Sequence, residues 1–201
     1  MDNLTHLKTA LEQAEALIFD MDGTLIDSMP SHYEAWSRVA RNYDLHFSRE
    51  RFYQLGGVPT YETLEILSAE SGLEINIPEA KAMKEKLYDD LTHLVGPIAT
   101  SVAIVEAYHG KKPMAIATGA SRRNASRLLN QLDLQHYFDA IVTSDDVTNH
   151  KPAPDVFLKA AQRLAITPQD CLAFEDTDIG LDAIRSARMH GVDVRDYQLK
   201  F

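Results

Sequence analysis

Hydrophobic and polar positions in this chain alternate between two rhythms, and the change of rhythm divides it. Ala16, Leu17, Ile18 and Phe19 form a short, wholly apolar run, the signature of a strand buried on both faces. The run ends in Asp20 and Asp22, followed by Gly23 and Thr24. From Pro30 to about Leu94 the patterning is helical and almost free of β-branched runs. Tyr33, Trp36, Val39 and Ala40 mark one helix, and Arg49, Phe52 and Tyr53 sit near a second. Glu62–Ser71 is a third and Ile77–Leu94 a fourth, with Pro78 suited to its first turn and Asn76 to its cap. From Gly96 short strands and helices alternate. Ile98–Tyr108 reads as a helix stopped by Gly110, Pro113–Thr118 as a strand, Arg122–Leu132 as a helix and Phe138–Thr143 as a strand. Asp155–Leu164 follows as a helix, Cys171–Phe174 as a strand, Ile179–His190 as a helix ended by Gly191, and Val192–Val194 as a last strand. Leu4, Leu7 and Leu11 place a short helix before the first strand.

Strands alternating with helices predict an α/β fold built on βαβ units and a mainly parallel sheet. The helical stretch after the first strand is too large for an ordinary crossover. It predicts an inserted helical cap domain over 28–95, within a core made of 1–27 and 96–201, with hinges near Leu25–Ser28 and Val95–Pro97.

Composition changes this picture in three ways. Twenty Lys and Arg against 30 Asp and Glu give a formal net charge of -10, which argues against a nucleic-acid partner. The single cysteine, Cys171, excludes an intrachain disulfide and a cysteine-rich metal site, and fits a reducing, cytoplasmic setting. The first sixteen residues carry three acids and no continuous apolar core, so they do not read as a signal peptide. No stretch approaches the ~20 apolar residues that span a bilayer, and no membrane partner is expected.

Candidate chemistry lies where apolar runs end. Carboxylates at the carboxyl edge of a parallel sheet stand where open α/β folds hold ligands, and they are costly there unless a cation or hydrogen bonds satisfy them. Taken alone, Asp20 and Asp22 are also what a strand followed by an Asp-Gly turn would carry. Thr118, ending the next apolar strand, offers a hydroxyl followed by the open backbone of Gly119 and Ala120, a plausible oxyanion cradle. Ser121 suits the cap of the helix beyond it. Lys151 stands ahead of Pro152 and Pro154, which stiffen the backbone around it. It reads either as a solvated surface group or as a fixed positive charge for a phosphate. Asp155 is simply an acid in the first turn of the next helix. Glu175 and Asp176 end another buried run. With Asp20 and Asp22 they make a hard, all-oxygen set that favours Mg²⁺ over zinc. Asp178 reads as a supporting group or a helix cap.

Asp20–Leu25 (DMDGTL), Ala117–Gly119 (ATG), Lys151 in KPAPD, and Glu175–Asp176 together resemble the four ordered motifs of the haloacid dehalogenase-like hydrolases. The helical insert resembles the small cap of the subfamily containing β-phosphoglucomutase and small sugar-phosphate phosphatases. His136–Val147 and the ending at Val192–Arg195 are similar to bacterial phosphatases of the fructose 1-phosphate or 6-phosphogluconate type. The resemblance implies a Rossmann-like parallel sheet of strand order 5-4-1-2-3 and a Mg²⁺-dependent phosphomonoester hydrolase. It implies Asp20 as nucleophile, Asp22 as general acid and base, and Thr118 and Lys151 as further catalytic groups. Mg²⁺ would be held by Asp20, the Asp22 backbone carbonyl, Glu175 and Asp176. His32, Thr60, Gly119 and Ala120 would bind a small sugar or sugar-acid phosphate.

In the mutase pattern an arginine for a distal phosphate stands where this chain has Thr60, within the expected cap loop Leu55–Leu64. Gly56 and Gly57 in that loop serve substrate or backbone conformation alone. Hydrolysis is therefore expected over a β-phosphoglucomutase-like isomerase. A dehalogenase, which would not need the acids this chain retains, and a non-catalytic Mg²⁺- and phosphate-binding module are the other readings. A small-molecule partner and a monomeric chain are expected.

Overall fold

The computed structural model describes residues 3–197. Met1, Asp2 and residues 198–201 lie outside them, as does the side chain of Leu4, expected on the apolar face of the first helix. The chain divides into two compact units, one made of Met1–Ile26 with Pro97–Phe201, the other of Asp27–Gly96.

The first unit opens with helix α1 (Asn3–Gln13), whose Leu11 is buried, and strand β1 (Ala16–Phe19), in which every residue is buried. The short segments β2 (Ile26–Asp27) and β3 (Gly96–Pro97) mark the two places where the chain passes between units. The second unit carries α2 (Met29–Asn42), α3 (Arg49–Gln54), α4 (Thr60–Ser71) and α5 (Ile77–Leu91). After β3 the first unit resumes with α6 (Ala99–Tyr108), β4 (Met114–Ala117), α7 (Arg122–Gln131), β5 (Ala140–Val142) and α8 (Asp155–Leu164). It ends with β6 (Cys171–Glu175), α9 (Asp178–Ser186) and β7 (His190–Asp193).

Five of these strands form one sheet in the order β5-β4-β1-β6-β7, with every pairing parallel. The architecture is an α/β Rossmann-like sheet with a helical insertion. Strand β1 is central, which explains its unbroken apolar character: helices and neighbouring strands leave it no solvated face. Phe19 stands in register with Phe174 of β6, and their rings stack at 4.4 Å, 5° from coplanar. Burying two such rings contributes about 1.5–3 kcal/mol each, and it fixes which residues come next at the sheet edge. The helical unit has a core of its own in which Trp36, Val39, Phe52, Leu64 and Leu67 are buried together.

Several boundaries differ from the sequence reading. The fourth helix stops at Leu91 and tightens into a 3-10 turn over Thr92–Leu94. Helix α4 starts at Thr60, so half of the expected loop Leu55–Leu64 is helical. Helix α9 ends at Ser186 instead of running to His190 before Gly191, and Arg188 takes the left-handed conformation (φ 59°). Gly191 lies in β7 opposite Ala173. The strand after Phe138 begins only at Ala140, because Gln135–Tyr137 form a 3-10 turn. Asn76 and Ser121 do cap their helices, accepting from Glu79 N at 3.3 Å and Asn124 N at 3.4 Å. Gly57 has φ 87°, a backbone requirement that accounts for a glycine there.

Candidate active site

Register brings the acids together. Because Phe19 pairs with Phe174, the residues that follow them, Asp20 and Glu175, emerge side by side at the carboxyl edge of the sheet. Asp20 continues the ladder by donating its N–H to Phe174 O at 3.0 Å. Carboxylate oxygens of Asp20, Glu175 and Asp176 all lie within 4.8 Å of one another.

Lys151 reaches into this group from the loop before α8. Its Nζ donates to Asp20 Oδ1 and to Glu175 Oε2, each at 2.7 Å, and it lies 4.9 Å from the centre of the Phe157 ring. The lysine is only 7 % exposed, which rules out the solvated surface group among its readings. Burial acts to lower its pKa, yet the two carboxylates override burial and hold it above the ordinary lysine range. In this structure Lys151 is the counter-ion of the acidic group.

One ammonium does not balance three carboxylates. Burial, then the neighbouring Glu175, push Asp20 well above the usual carboxylate range against the pull of Lys151. The same causes, burial first and Glu175 second, raise Asp176 to about 7 despite a hydrogen bond from Thr24. A hard, all-oxygen donor set that carries excess negative charge in a buried place fits a divalent cation such as Mg²⁺.

The surrounding residues hold each acid in place. Glu175 Oε1 accepts from Asp176 N (3.1 Å), Thr177 N (2.9 Å) and Thr177 Oγ1 (2.8 Å), leaving Oε2 for Lys151. Thr177, the cap of α9, also accepts from Gly180 N at 3.0 Å. Buried Thr24 donates its hydroxyl to Asp176 Oδ1 at 3.0 Å. Two glycines make room. A Cβ on Gly180 would stand 2.1 Å from Glu175 Cδ, and one on Gly23, at φ 86°, would stand 2.2 Å from Asp176 Oδ2. Sequence reading named Thr24 without a role and passed over Thr177 and Gly180. Their signal was present, since each small or hydroxylated residue follows a strand-end acid within five positions.

Asp22 is half-buried in the turn after β1, where Gly23 N–H donates to Ile26 O at 2.8 Å, and its side chain is not part of the acidic group. Thr118 stands one residue past the end of β4, the strand adjoining β1. It is 1 % exposed, and its hydroxyl oxygen accepts Ala120 N–H at 3.0 Å, which leaves its own proton to donate. Gly119 is exposed and Ala120 half-buried beside it. Asp178 is neither cap nor supporting acid. Thr177 caps the helix, and exposed Asp178 pairs with Arg195 at 2.7 Å.

His32 and Thr60 belong to the helical unit. His32 stacks on Tyr88 at 3.9 Å, and its Nδ1 is 3.2 Å from Lys84 Nζ. Lys84 is 7 % exposed and lies over the Tyr88 ring at 5.1 Å. The sequence reading missed it, although Ala80, Lys84 and Tyr88 repeat at four-residue spacing along one buried stripe.

Residues 17–194 match the family model described as haloacid dehalogenase-like hydrolase. The chain belongs to the haloacid dehalogenase-like hydrolases. It is 41% identical over 186 residues to the fructose-1-phosphate phosphatase YqaB of Escherichia coli (strain K12), covering 92% of this chain and 98% of that one. It is 32% identical over 187 residues to the β-phosphoglucomutase of Bacillus subtilis (strain 168), covering 90% and 83%. Among solved structures, a β-phosphoglucomutase from Clostridium difficile superposes with a TM-score of 0.78 at 26% identity, over 92% of this chain and 87% of that one. The family, the fold and the buried acidic group support a metal-binding phosphatase acting on a small phosphorylated metabolite. Among the described residues, no helix is long and apolar enough to cross a membrane.

Proposed function

We propose that the protein is a Mg²⁺-dependent phosphomonoester hydrolase acting on a small sugar or sugar-acid phosphate, of the fructose 1-phosphate or 6-phosphogluconate type. The observation that carries the reading is Lys151 bridging Asp20 and Glu175 at 2.7 Å each, in one group with Asp176. Such a group offers a divalent cation the excess negative charge that binds it, and it holds one carboxylate, Asp20, in a fixed direction.

In this reading Asp20 is the nucleophile. An Asp20 carboxylate oxygen forms a bond to phosphorus while the bond from phosphorus to the leaving sugar oxygen breaks, giving an aspartyl-phosphate. Asp22 gives its proton to the departing alkoxide, then takes one from the water that attacks phosphorus and restores Asp20. Thr118, with the backbone at Gly119 and Ala120, donates to non-bridging oxygens, and Lys151 aims Asp20 and pulls it toward its ionised form. Asp20, Glu175 and Asp176, with the Asp22 carbonyl, would hold Mg²⁺, which when bound supplies positive charge to offset that of the phosphoryl oxygens.

The unit Asp27–Gly96 is read as a cap, carrying His32 and Thr60 as substrate-binding residues. The order β5-β4-β1-β6-β7, with β1 central, supports the family order 5-4-1-2-3. A buried, unpaired Cys171 supports a reducing, cytoplasmic setting, and the chain is read as a monomer.

Phosphoryl transfer back to the sugar is the second reading, favoured by likeness to a β-phosphoglucomutase. Thr60 opposes it, being a neutral residue that gives a second phosphate no cation. The deciding experiment compares wild type and Asp20→Asn on a panel of hexose phosphates, 6-phosphogluconate, phosphoglycolate and nucleoside monophosphates. Near-wild-type turnover by the variant overturns the mechanism. Glucose 6-phosphate formation from β-glucose 1-phosphate, in place of phosphate release, makes the protein a mutase. A preference of about a hundredfold for phosphoglycolate or a nucleotide overturns the sugar-phosphate assignment alone.

A further inference from the structure

The turn after β4 is held from one side by residues to which no role has been given so far. The carbonyl of Ala120 accepts both the backbone N–H and the hydroxyl of Ser144, each at 3.1 Å. Ser144 opens the 3-10 turn Ser144–Asp146 that follows β5, the edge strand beside β4. A trans peptide aims its C=O and its N–H in opposite directions. Pinning Ala120 O toward the β5 side therefore turns the N–H of Ser121 away from it. In the order β5-β4-β1 that is the side on which Asp20 stands.

The turn that does the pinning is itself over-determined. Asp146 Oδ2 accepts from Thr143 N at 2.8 Å and Thr143 Oγ1 at 2.9 Å, and it pairs with the Arg122 guanidinium. Its other oxygen accepts from Arg163 at 2.6 Å. Both arginines also donate to Ile141 O, at 3.0 and 2.6 Å. Asp145 Oδ2 accepts the backbone N–H of Arg122 at 2.8 Å, so the span Gly119–Ser121 is tied down at its far end as well. Burial works against the charge on Asp146, but the Thr143 and arginine hydrogen bonds win and bring its pKa down to about 2. The anchor stays ionised through the neutral range.

We propose that Ser144, held by Asp146, is a positioning residue that presets the Ala120–Ser121 peptide to donate to a phosphate oxygen. This rests on the phosphohydrolase reading above. Donors fixed before the anion arrives need no reorganisation when it binds, and this is where fixed dipoles gain over water. Ser144 touches no substrate atom in this scheme; it acts through Ala120.

The test measures inorganic phosphate binding by calorimetry in saturating Mg²⁺, with kcat, KM and thermal midpoint, for wild type, Ser144→Ala, Ser144→Thr and Asp146→Asn. Ser144→Ala removes one of two donors to Ala120 O. Phosphate should then bind about fivefold more weakly, the scale of one neutral hydrogen bond, and kcat/KM should fall at least as far. Ser144→Thr, which keeps the hydroxyl, should restore both, and Asp146→Asn should shift both in the direction of Ser144→Ala. If Ser144→Ala fails to fold, the same shift in Asp146→Asn carries the test. Unchanged phosphate affinity in both variants, or a fallen midpoint with affinity intact, overturns the proposal, as does wild-type protein that binds no phosphate. Wild-type protein that binds phosphate but releases none from any phosphomonoester overturns the hydrolytic reading and leaves the positioning role standing.

Discussion

Replacing Lys151 by methionine removes a charge and keeps most of the volume, so its effect isolates the counter-ion. The ammonium stands 2.7 Å from each of two carboxylates, and its side chain and theirs are 4, 8 and 1 % exposed. At an effective dielectric of roughly 20, each pair carries about 6 kcal/mol of gross attraction, most of it offset by the desolvation of all three groups. Taking away one partner leaves that desolvation uncompensated, and such losses run to about 3–5 kcal/mol. Two buried acids lose their partner together here, so the upper part of that range is expected for metal-free protein at pH 8. In urea this moves the unfolding midpoint of Lys151→Met down by more than about 1 M.

Two further readouts follow from the same charges. Asp20 is already raised by burial and by Glu175, and Asp176 is raised to about 7. A carboxylate whose folded pKa exceeds its unfolded one destabilises as pH climbs from the unfolded value, near 4, through the folded one. Losing Lys151 raises Asp20 further, so the variant should lose more stability than wild type between pH 5 and 8 and recover as pH falls. A bound dication replaces the missing charge, and at about a hundred times its dissociation constant a ligand contributes about 2.7 kcal/mol. Mg²⁺ should therefore stabilise the variant more than wild type. A loss below about 1 kcal/mol in EDTA, with no added pH dependence and no larger Mg²⁺ gain, would refute the assignment of Lys151 as counter-ion.

Chelation with EDTA should abolish phosphate release and Mg²⁺ should restore it; full turnover in metal-free buffer rejects the acidic group as a metal site. Thr24→Val removes the hydroxyl that donates to Asp176 at 3.0 Å, and should raise the Mg²⁺ concentration needed for half-maximal activity by about five- to tenfold, read from a metal titration. Gly180→Ala places a Cβ 2.1 Å from Glu175 Cδ, forcing that carboxylate off Lys151. Its thermal midpoint and its activity should fall together, and a variant equal to wild type in both contradicts the close approach. Asp146, depressed to about 2, contributes stability above its unfolded value that is lost as pH falls from about 4 toward 2. Asp146→Asn should flatten that limb of the acid-denaturation curve.

Legibility tracked how local the cause was. Strands β1 and β6 were readable because burial on both faces leaves an unbroken apolar run, and the acids ending those runs marked the sheet edge. The pairing of Asp20 with Glu175 was not readable residue by residue, since it depends on Phe19 facing Phe174 across 155 positions of chain. Lys151 had two local readings, and only its long reach to buried Asp20 and Glu175 removes the solvated one. Helix α9 was drawn too long because a glycine was taken as its stop, while Arg188 makes the left-handed step with no glycine to announce it. Lys84 drew no reading, because its burial rests on the rings of Tyr88 and of Trp36, which lies 48 positions away on α2.

The same charges answer why a chain of net charge -10 can serve an anionic substrate. At the sheet edge three carboxylates meet one ammonium, which leaves a formal charge of two minus in a buried place. The raised pKa values of Asp20 and Asp176 are the protein's own partial response, because taking up protons removes the excess when nothing else does. A dication held by these acids would supply the missing positive charge without protonating anything, and would leave Asp20 an anion. In the proposed reading, metal binding and phosphate binding would be coupled through one electrostatic balance, and linkage would make the coupling reciprocal. Surface acids more than a Debye length away, about 8 Å at physiological salt, are screened from this balance. The overall charge therefore governs solubility and the choice of large partners, while in the proposed reading the balance among four side chains sets whether a phosphate is admitted.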